Sequence, residues 1–340
     1  MNIEQIHPEL REAVQRFPKM PLHNRFFVTL FKLLGKVMPG SKCGPGVDIE
    51  DRKLQRASVR IYRPQGAASG AGLLWIHGGG LIIGGAKLDN RTCGALARDL
   101  QLVVVSVEYR LAPEHPFPAA IDDCFEAWQW FVQQAPQLGV DPARIAVSGQ
   151  SAGGGLAAAL AQRVHDSGGV QPAAQALFCP MLDDRTALRS ELDAIAYPLW
   201  PNRSNRAGWS WYLGQPAGAA TLPPYAAAAR REDLTGLAPA WISVGDIELF
   251  YDEDCRYAER LQQAGVPCQL HVSPQAPHGF EVLAPDAALT QAMFLSAYRF
   301  LCERLGLDVD TAGYSFGARS ESFAAHSESL GARDQPSSTA

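Results

Sequence analysis

The chain has 340 residues, of which 47% are hydrophobic and 19% are charged, and its formal net charge is −5. This length and composition allow one large globular domain or two ordinary ones, with a substantial buried core. The negative balance provides no overall basic field, so nucleic acid is not an expected partner.

Cysteine usage and the N-terminus favour a reducing, cytoplasmic location. The seven cysteines are scattered and odd in number, without C-x-x-C spacing, which argues against a disulfide framework and against a structural zinc site. The first residues lack the basic start and apolar core of a signal peptide. The apolar stretch 26–34 is too short to span a bilayer, so we expect no stable membrane insertion.

The first predicted elements are helical. Residues 1–46 form an N-terminal cap segment that is amphipathic and helical from about residue 3, with a break near Pro39 and Gly40. Eight short runs, mostly apolar, then predict strands at 47–50, 58–62, 73–76, 102–107, 144–148, 176–178, 240–244 and 269–272. Helices are predicted between them at 90–100, 119–134, 151–165, 252–264 and 287–305.

Alternation of helices with apolar strands is typical of an α/β fold with a mostly parallel central sheet and helices on both faces. The interval 184–235 interrupts this rhythm, because it contains many Trp, Tyr, Pro and Ala residues and no strand pattern. We interpret it as a helical cap insertion within a catalytic domain at 47–310. Residues 311–340 are polar and lack an apolar period, which predicts a disordered tail.

A candidate nucleophile lies in Gly149-Gln150-Ser151-Ala152-Gly153, directly after the predicted strand 144–148 and before a predicted helix. The G-x-S-x-G pattern in this context forms a tight turn that exposes the serine oxygen at the end of a sheet. Its flanking glycines permit close backbone approach. Ser151 is therefore predicted to be a nucleophile.

Two further motifs support that interpretation. His77-Gly78-Gly79-Gly80 follows a strand, and a glycine run there can turn backbone N–H groups towards a developing oxyanion, together with the N–H of Ala152. His278, in Ala-Pro-His-Gly-Phe after the last strand, can act as general base. None of the eight histidines has metal-ligand spacing, so no metal is expected.

The acid that would orient His278 is not fixed by the residues alone. Asp252, Glu253 and Asp254 open a predicted helix, where carboxylates favour the helix dipole and cap its N–H groups. Asp246 and Glu248 remain in the preceding loop, and spacing does not separate them. The order serine, acid, histidine is that of α/β-hydrolases.

From residue 47 to residue 305 the chain resembles the bacterial hormone-sensitive-lipase-like esterases of the α/β-hydrolase fold. The matching motifs are H-G-G-G at 77–80, Y-R-L-A-P-E-H-P-F-P-A-A at 109–120, G-Q-S-A-G-G at 149–154, P-M-L-D at 180–183, W-Y-L-G at 211–214 and A-P-H-G-F at 276–280. We interpret 109–120 as structural, with Arg110 and the prolines fixing a corner beside the active site.

The resemblance implies a serine carboxylesterase that hydrolyses small-molecule esters with short to medium acyl chains through an acyl-enzyme, without a cofactor. By position it places the acid on Glu248, where most members carry Asp, with Asp252 as the reserve candidate. Gln150 also departs from the Asp that is more common before the serine. Many relatives are dimers, so a homodimer is compatible with the resemblance, although the sequence shows no interface.

Alternatives remain for the substrate and for the pocket. The same triad can cleave amides, so an amidase or peptidase is an alternative, and a ligand-binding member without activity is another. Aromatic residues of the cap segments, among them Phe31, Trp209 and Trp211, suggest an apolar substrate pocket. For each of these residues, packing in the cap's own core is the alternative role.

Overall fold

All eight predicted strands are present and form one sheet in the computed structural model of the chain, which describes residues 1–18, 20–66, 68–309 and 316. The strands are β1 (Val47–Lys53), β2 (Ser58–Pro64), β3 (Gly72–Ile76), β4 (Val103–Glu108), β5 (Ile145–Gln150), β6 (Gln175–Phe178), β7 (Ala240–Gly245) and β8 (Cys268–Ser273).

The strand order is β1-β2-β4-β3-β5-β6-β7-β8. The β1–β2 and β2–β4 pairs are antiparallel, and all pairs from β4 to β8 are parallel. Parallel neighbours need crossover connections, which here contain most of the helices. The carboxyl ends of β3, β5, β7 and β8 therefore lie along one edge of the sheet.

The described helices are α1 (Pro8–Arg16), α2 (Arg25–Val37), α3 (Asn90–Leu100), α4 (Ala119–Gln134), α5 (Ala152–Ser167), α6 (Asn202–Leu213), α7 (Tyr251–Gln263), α8 (Phe280–Leu283) and α9 (Ala288–Leu305). The five helices predicted after the first strands correspond to α3, α4, α5, α7 and α9. Among the described residues, no helix combines the length and the hydropathy that crossing a bilayer requires.

The sheet separates two hydrophobic clusters because successive side chains of a strand point to opposite faces. In β3, Leu74 and Ile76 belong to one cluster, whereas Leu73 and Trp75 belong to the other. Helices α4, α5 and α7 contribute to the first cluster, and α1, α3 and α9 contribute to the second. The mostly parallel α/β sheet covered on both faces is confirmed.

The two edge strands, β1 and β8, are less buried than the apolar strands that the sequence predicts. β1 is largely exposed, and in β8 Leu270 and Val272 are partly exposed. Each edge strand has a neighbour on one side only, so burial there is incomplete.

The N-terminal segment is less helical than predicted. It contains a short 3-10 turn at Ile3–Gln5, then α1 and α2 separated by residues 17–24, and no helix from 38 to 46. The interval 184–235 contains α6 and three short 3-10 turns but no strand. The domain limits remain a prediction, and the proposed tail, apart from Phe316, lies outside the described residues.

Candidate active site

Ser151 lies in a tight turn between β5 and α5 with φ 54° and ψ −121°. Positive φ is unfavourable for a residue with a Cβ and persists only where neighbouring contacts hold it. Here the Ser151 N–H donates to the carbonyl of Phe178 at 2.8 Å, and its carbonyl accepts from Met181 at 2.9 Å. A Cβ at Gly153 would overlap the carbonyl of Ile76, which explains why the turn requires glycine there.

His278 contacts Ser151 directly. Its Nε2 lies 2.9 Å from Ser151 Oγ, and both residues are buried. His278 occupies the turn between β8 and α8, and the edge-on ring of Phe250 packs against it with 5.0 Å between centroids. The structure therefore brings together the predicted nucleophile and the predicted base from two strand ends.

Glu248 lies on the other side of His278. Its Oε2 forms a hydrogen bond with His278 Nδ1, and its Oε1 accepts from the backbone N–H of Gly245 at 3.1 Å. Asp246 instead accepts from the N–H of Gln275. Asp252 pairs with Arg189, and its side chain is 54% exposed. Only Glu248 of these three carboxylates contacts the imidazole.

The electrostatics of His278 result from opposing effects. Burial disfavours the charged imidazolium, but the charge and hydrogen bond of Glu248, with a further contribution from Glu281, outweigh it, so the pKa of His278 is raised above its ordinary value. A histidine in this environment can accept a proton from Ser151 Oγ with the imidazolium stabilised.

The His77–Gly80 loop lies against the nucleophile turn. A Cβ on Gly78 would be 3.5 Å from the Cβ of Ser151 and 3.1 Å from the carbonyl of Gln150. Gly79 and Gly80 have φ of 115° and 60°, a region that favours glycine. Ala152 is the first residue of α5, so its N–H has no intrahelical acceptor. These are the backbone donors that the sequence predicts for an oxyanion site.

Aromatic stacking and a hydrogen bond from Tyr109 hold the His77–Gly80 loop in place. The His77 ring stacks on Tyr109 with centroids 4.2 Å apart, and the Tyr109 hydroxyl donates to the His77 carbonyl at 3.0 Å. His77 Nδ1 lies 2.7 Å from the carbonyl of Gly78. His77 therefore has a structural position in this loop and does not contact Ser151.

The three pocket candidates have different surroundings. Phe31 lines a cavity of about 1100 Å³ between α2 and the β2–β4 side of the sheet, beside Ile83 and Gly84. Trp209 is fully buried against Tyr212, and Trp211 packs against the same core cluster. Neither tryptophan lines that cavity. Their role in a substrate pocket stays a prediction.

Glu253 and Asp254 lie in the first turn of α7, as the sequence predicts, but both are buried, which the sequence analysis did not anticipate. Glu253 accepts from the backbone N–H groups of Leu182 and Asp183 at 2.7 and 3.1 Å. It thus holds the loop after β6. The helical period of Glu253, Asp254, Tyr257 and Leu261, which share the buried face, was the signal that could have shown this.

Glu281 and Cys179 are further neighbours of the site that the sequence did not reveal. Cys179 Sγ lies 3.7 Å from Glu281 Oε1. Cys179, Glu248 and His278 also place potential ligand atoms within 4.8 Å of one another. However, burial raises the pKa of the Cys179 thiol, which keeps it protonated and a weak ligand. Glu248 and His278 are already paired, so this group is poorly suited to hold a metal ion.

Comparison with known proteins places this chain in a family. Residues 73–282 match the model of a family described as the alpha/beta hydrolase fold. Esterase LipI of Mycobacterium tuberculosis is 34% identical over 274 residues, which cover 80% of each chain. A structure named Bacterial Heroin Esterase superimposes with a TM-score of 0.81 at 34% identity and covers 90% of this chain and 99% of that one.

A third similar protein is an esterase whose structure is assigned to the bacterial hormone-sensitive lipase family. It has a TM-score of 0.73 at 28% identity and covers 88% of this chain and 99% of that one. The chain therefore belongs to the α/β-hydrolase family and, within it, to the bacterial hormone-sensitive-lipase-like esterases.

Proposed function

We propose that the protein is a serine carboxylesterase in which Ser151 is the nucleophile, His278 the general base and Glu248 the orienting acid. The observation that carries this proposal is the continuous hydrogen-bonded line from Ser151 Oγ through both imidazole nitrogens of His278 to Glu248. This arrangement matches the roles that acyl transfer requires of a nucleophile, a base and an anionic partner.

The reaction has two stages. Ser151 Oγ attacks the ester carbonyl while its proton passes to His278 Nε2, and the backbone N–H groups of Gly79, Gly80 and Ala152 stabilise the tetrahedral oxyanion. Collapse of this intermediate breaks the bond to the alcohol, which leaves with the proton from His278. Water then attacks the acyl-enzyme with His278 as base, and a second collapse releases the carboxylic acid and regenerates Ser151.

Glu248 contributes through His278. Its bond to Nδ1 fixes the tautomer in which Nε2 can accept the proton of Ser151, and its negative charge stabilises the imidazolium. The bond between its second oxygen and the Gly245 N–H holds the carboxylate in this orientation. Glutamate can therefore fill the position in which most members carry aspartate.

The substrates we propose are small-molecule esters with short to medium acyl chains. Trp200 packs against Gly80, the last glycine of the oxyanion loop, and Ser151 itself is only 8% exposed. A bulky aromatic side chain against the proposed oxyanion loop leaves limited room for an acyl group. A long-chain lipase would need a larger opening at this point.

The test is a series of p-nitrophenyl esters from acetate to palmitate, assayed beside a p-nitroanilide of the preferred acyl group. We expect kcat/KM to be highest for short and medium chains and to fall for palmitate. Ser151→Ala should lower kcat by at least about 10⁴-fold with little change in thermal unfolding.

Three results would contradict the proposal. Retention of most activity in Ser151→Ala would remove Ser151 as nucleophile. Faster cleavage of the anilide than of the matching ester would instead identify the amidase alternative, and binding of both compounds without turnover would identify a ligand-binding protein.

A further inference from the structure

A second buried carboxylate lies beside the proposed triad. Glu281 is the second residue of α8, three positions after His278, and it is only 7% exposed. The side-chain amide of Gln150 donates a hydrogen bond from Nε2 to Glu281 Oε1. Gln150 immediately precedes Ser151, so this contact joins the turn that carries the nucleophile to the turn that carries the base.

Cys179 lies near both the Gln150–Glu281 pair and the His278–Glu248 pair. Cys179 Sγ is 3.7 Å from Glu281 Oε1 and is within 4.8 Å of the nearest ligand atoms of both His278 and Glu248. His278 thus has Glu248 hydrogen-bonded to one nitrogen, and the Cys179 thiol lies near both His278 and Glu281. The proposed mechanism uses the first carboxylate and leaves the second without a role.

Of the other charged groups near the pair, Asp89 and Arg91 are engaged elsewhere, whereas the carboxyl oxygens of the buried Asp254 have no hydrogen-bond partner among the described residues. Gln150 and Glu281 line a cavity of about 140 Å³ that also contacts Asp89 and Arg91. Asp89 accepts from the indole N–H of Trp75 at 2.6 Å, and Arg91 pairs with Asp286 at 2.7 Å. Asp254 is buried on α7, near enough to Glu248 and Cys179 for electrostatic interaction. Within the described chain, the side-chain hydrogen-bond donors to the Glu281 carboxyl are Gln150 and Cys179.

We propose that Gln150 and Glu281 form a positioning pair for the esterase reaction, in which the amide of Gln150 holds an ionised Glu281 close to His278 so that two carboxylates favour the imidazolium. The inference rests on the proposed function, because it assigns Glu281 an effect on the base of that mechanism. Glu281 is a positioning residue, since it does not contact Ser151.

Elementary electrostatics supports the choice of glutamine at residue 150. Burial, with a smaller contribution from the charge of Glu248, holds the pKa of Glu281 above its ordinary value, while a backbone hydrogen bond, the positive charge of His278 and the hydrogen bond from Gln150 oppose that rise. A carboxylate at residue 150 would place two acids in contact, which disfavours ionisation of both. An amide instead donates a hydrogen bond to the carboxylate and adds no charge. The chemistry of the pair is therefore complementary in this orientation.

The test compares Glu281→Gln, Gln150→Glu and the exchanged double variant Gln150→Glu/Glu281→Gln. In Glu281→Gln we expect the acid limb of the kcat/KM profile to move down by about one pH unit, because a negative charge near the imidazolium is lost. kcat should fall about three- to tenfold while KM stays within about twofold, because neither side chain is assigned to substrate binding.

Gln150→Glu should lower kcat by at least about tenfold, because two adjacent carboxylates repel. The exchanged variant restores one amide donor and one carboxylate acceptor, so we expect its kcat to return to within about threefold of the original enzyme. Glu12→Gln is the control for loss of an exposed negative charge, since Glu12 lies on α1 with its side chain 74% exposed. It should leave the pH profile unchanged.

A folded Glu281→Gln variant with an unmoved acid limb would overturn the proposal. If that variant fails to fold, the exchange decides the question: recovery relative to Gln150→Glu supports the pair, and a folded exchanged variant that is no more active than Gln150→Glu overturns it. Ser151→Ala distinguishes failure of the proposed function from failure of this inference. Activity in Ser151→Ala would refute the proposed function. An inactive Ser151→Ala together with an unchanged pH profile in Glu281→Gln would refute this inference alone.

Discussion

The indole ring of Trp200 occupies the space that a side chain on Gly80 would need. A Cβ built on Gly80 would overlap three carbons of that ring, and Gly80 has a φ of 60°. The Trp200 indole in turn contacts Asn205 on α6 through Nε1 at 3.4 Å. The proposed oxyanion loop thus packs against Trp200, in the segment that leads into α6.

Gly80→Ala is therefore expected to displace the loop and its N–H donor. Loss of one oxyanion donor typically lowers kcat by about 10²–10³-fold, and we expect a loss of that size. Steady-state kinetics with a short-chain ester measures it. Gly139→Ala is the matched control, because Gly139 also has positive φ, 69°, but has nothing within 4 Å of the added Cβ. Equal losses of kcat in the two variants would contradict the argument from Trp200.

The identity of the acid provides a second prediction. Glu248→Gln keeps the shape of the side chain but removes its charge and can favour the wrong tautomer of His278, so kcat should fall by about 10⁴-fold. Asp252→Asn should leave kcat within about twofold, since Asp252 pairs with Arg189 at the surface. Each variant replaces one carboxylate by the corresponding amide, so the two chemical changes are matched. A larger loss in Asp252→Asn would transfer the role to that residue.

The sequence predicts the strands well because most of them are short apolar runs between turn signals, and the buried strands of a parallel sheet have that composition. It identifies Ser151 and His278 as candidates because each lies in a local motif that follows a strand, and the structure brings their side chains into contact. The choice between Asp246 and Glu248 could not be made from spacing, because it depends on which way each side chain points from one loop. The resemblance to the esterases selected Glu248, and in the structure Glu248 contacts His278.

Other features depend on contacts between distant parts of the chain. Gln150 and Glu281 are 131 residues apart and meet only because β5 and β8 end at the same edge of the sheet. Glu253 resembles a surface charge at a helix start, yet the turn on which it lies packs against the loop after β6. A local pattern identifies the helix but not the neighbour that covers it.

The ion pair between the partly exposed Arg110 and the buried Asp123 leads to a prediction about stability. Asp123 is fully buried and accepts from Arg110 Nη2 at 2.7 Å and from the Arg110 backbone N–H at 2.8 Å. Asp123→Ala leaves the partly exposed arginine and that N–H without their acceptor, so the free energy of unfolding should fall by about 1–3 kcal/mol. This result would support a structural role for the 109–120 segment.

Urea denaturation followed by tryptophan fluorescence measures the loss in Asp123→Ala. Glu12→Ala is its control, because the ion pair of Glu12 with Arg16 is exposed on both sides and should contribute less than about 1 kcal/mol. A loss in Asp123→Ala no larger than the loss in this control would show that the Arg110 pair does not stabilise the fold.

The raised pKa of the buried Glu253 leads to a prediction about how stability depends on pH. Burial, the largest influence, raises the pKa of its carboxyl from 4.5 to about 8 against the hydrogen bonds from Thr186 and Leu182. Between these two values the folded protein binds the proton and the unfolded chain does not. The contribution of this protonated group is complete below the lower value and is lost as pH rises towards the upper one, by at most about 1.4 kcal/mol per pH unit.

Glu253→Gln removes this titration while keeping an oxygen for the N–H groups of Leu182 and Asp183. We therefore expect the variant to gain stability relative to the original protein as pH increases from about 5 to about 8, and the difference to level off above that range. Urea unfolding at several pH values measures this difference. Glu303→Gln, on the exposed face of α9, is the control and should show no such trend. A difference for Glu253→Gln that does not change with pH would mean that Glu253 does not titrate in this window.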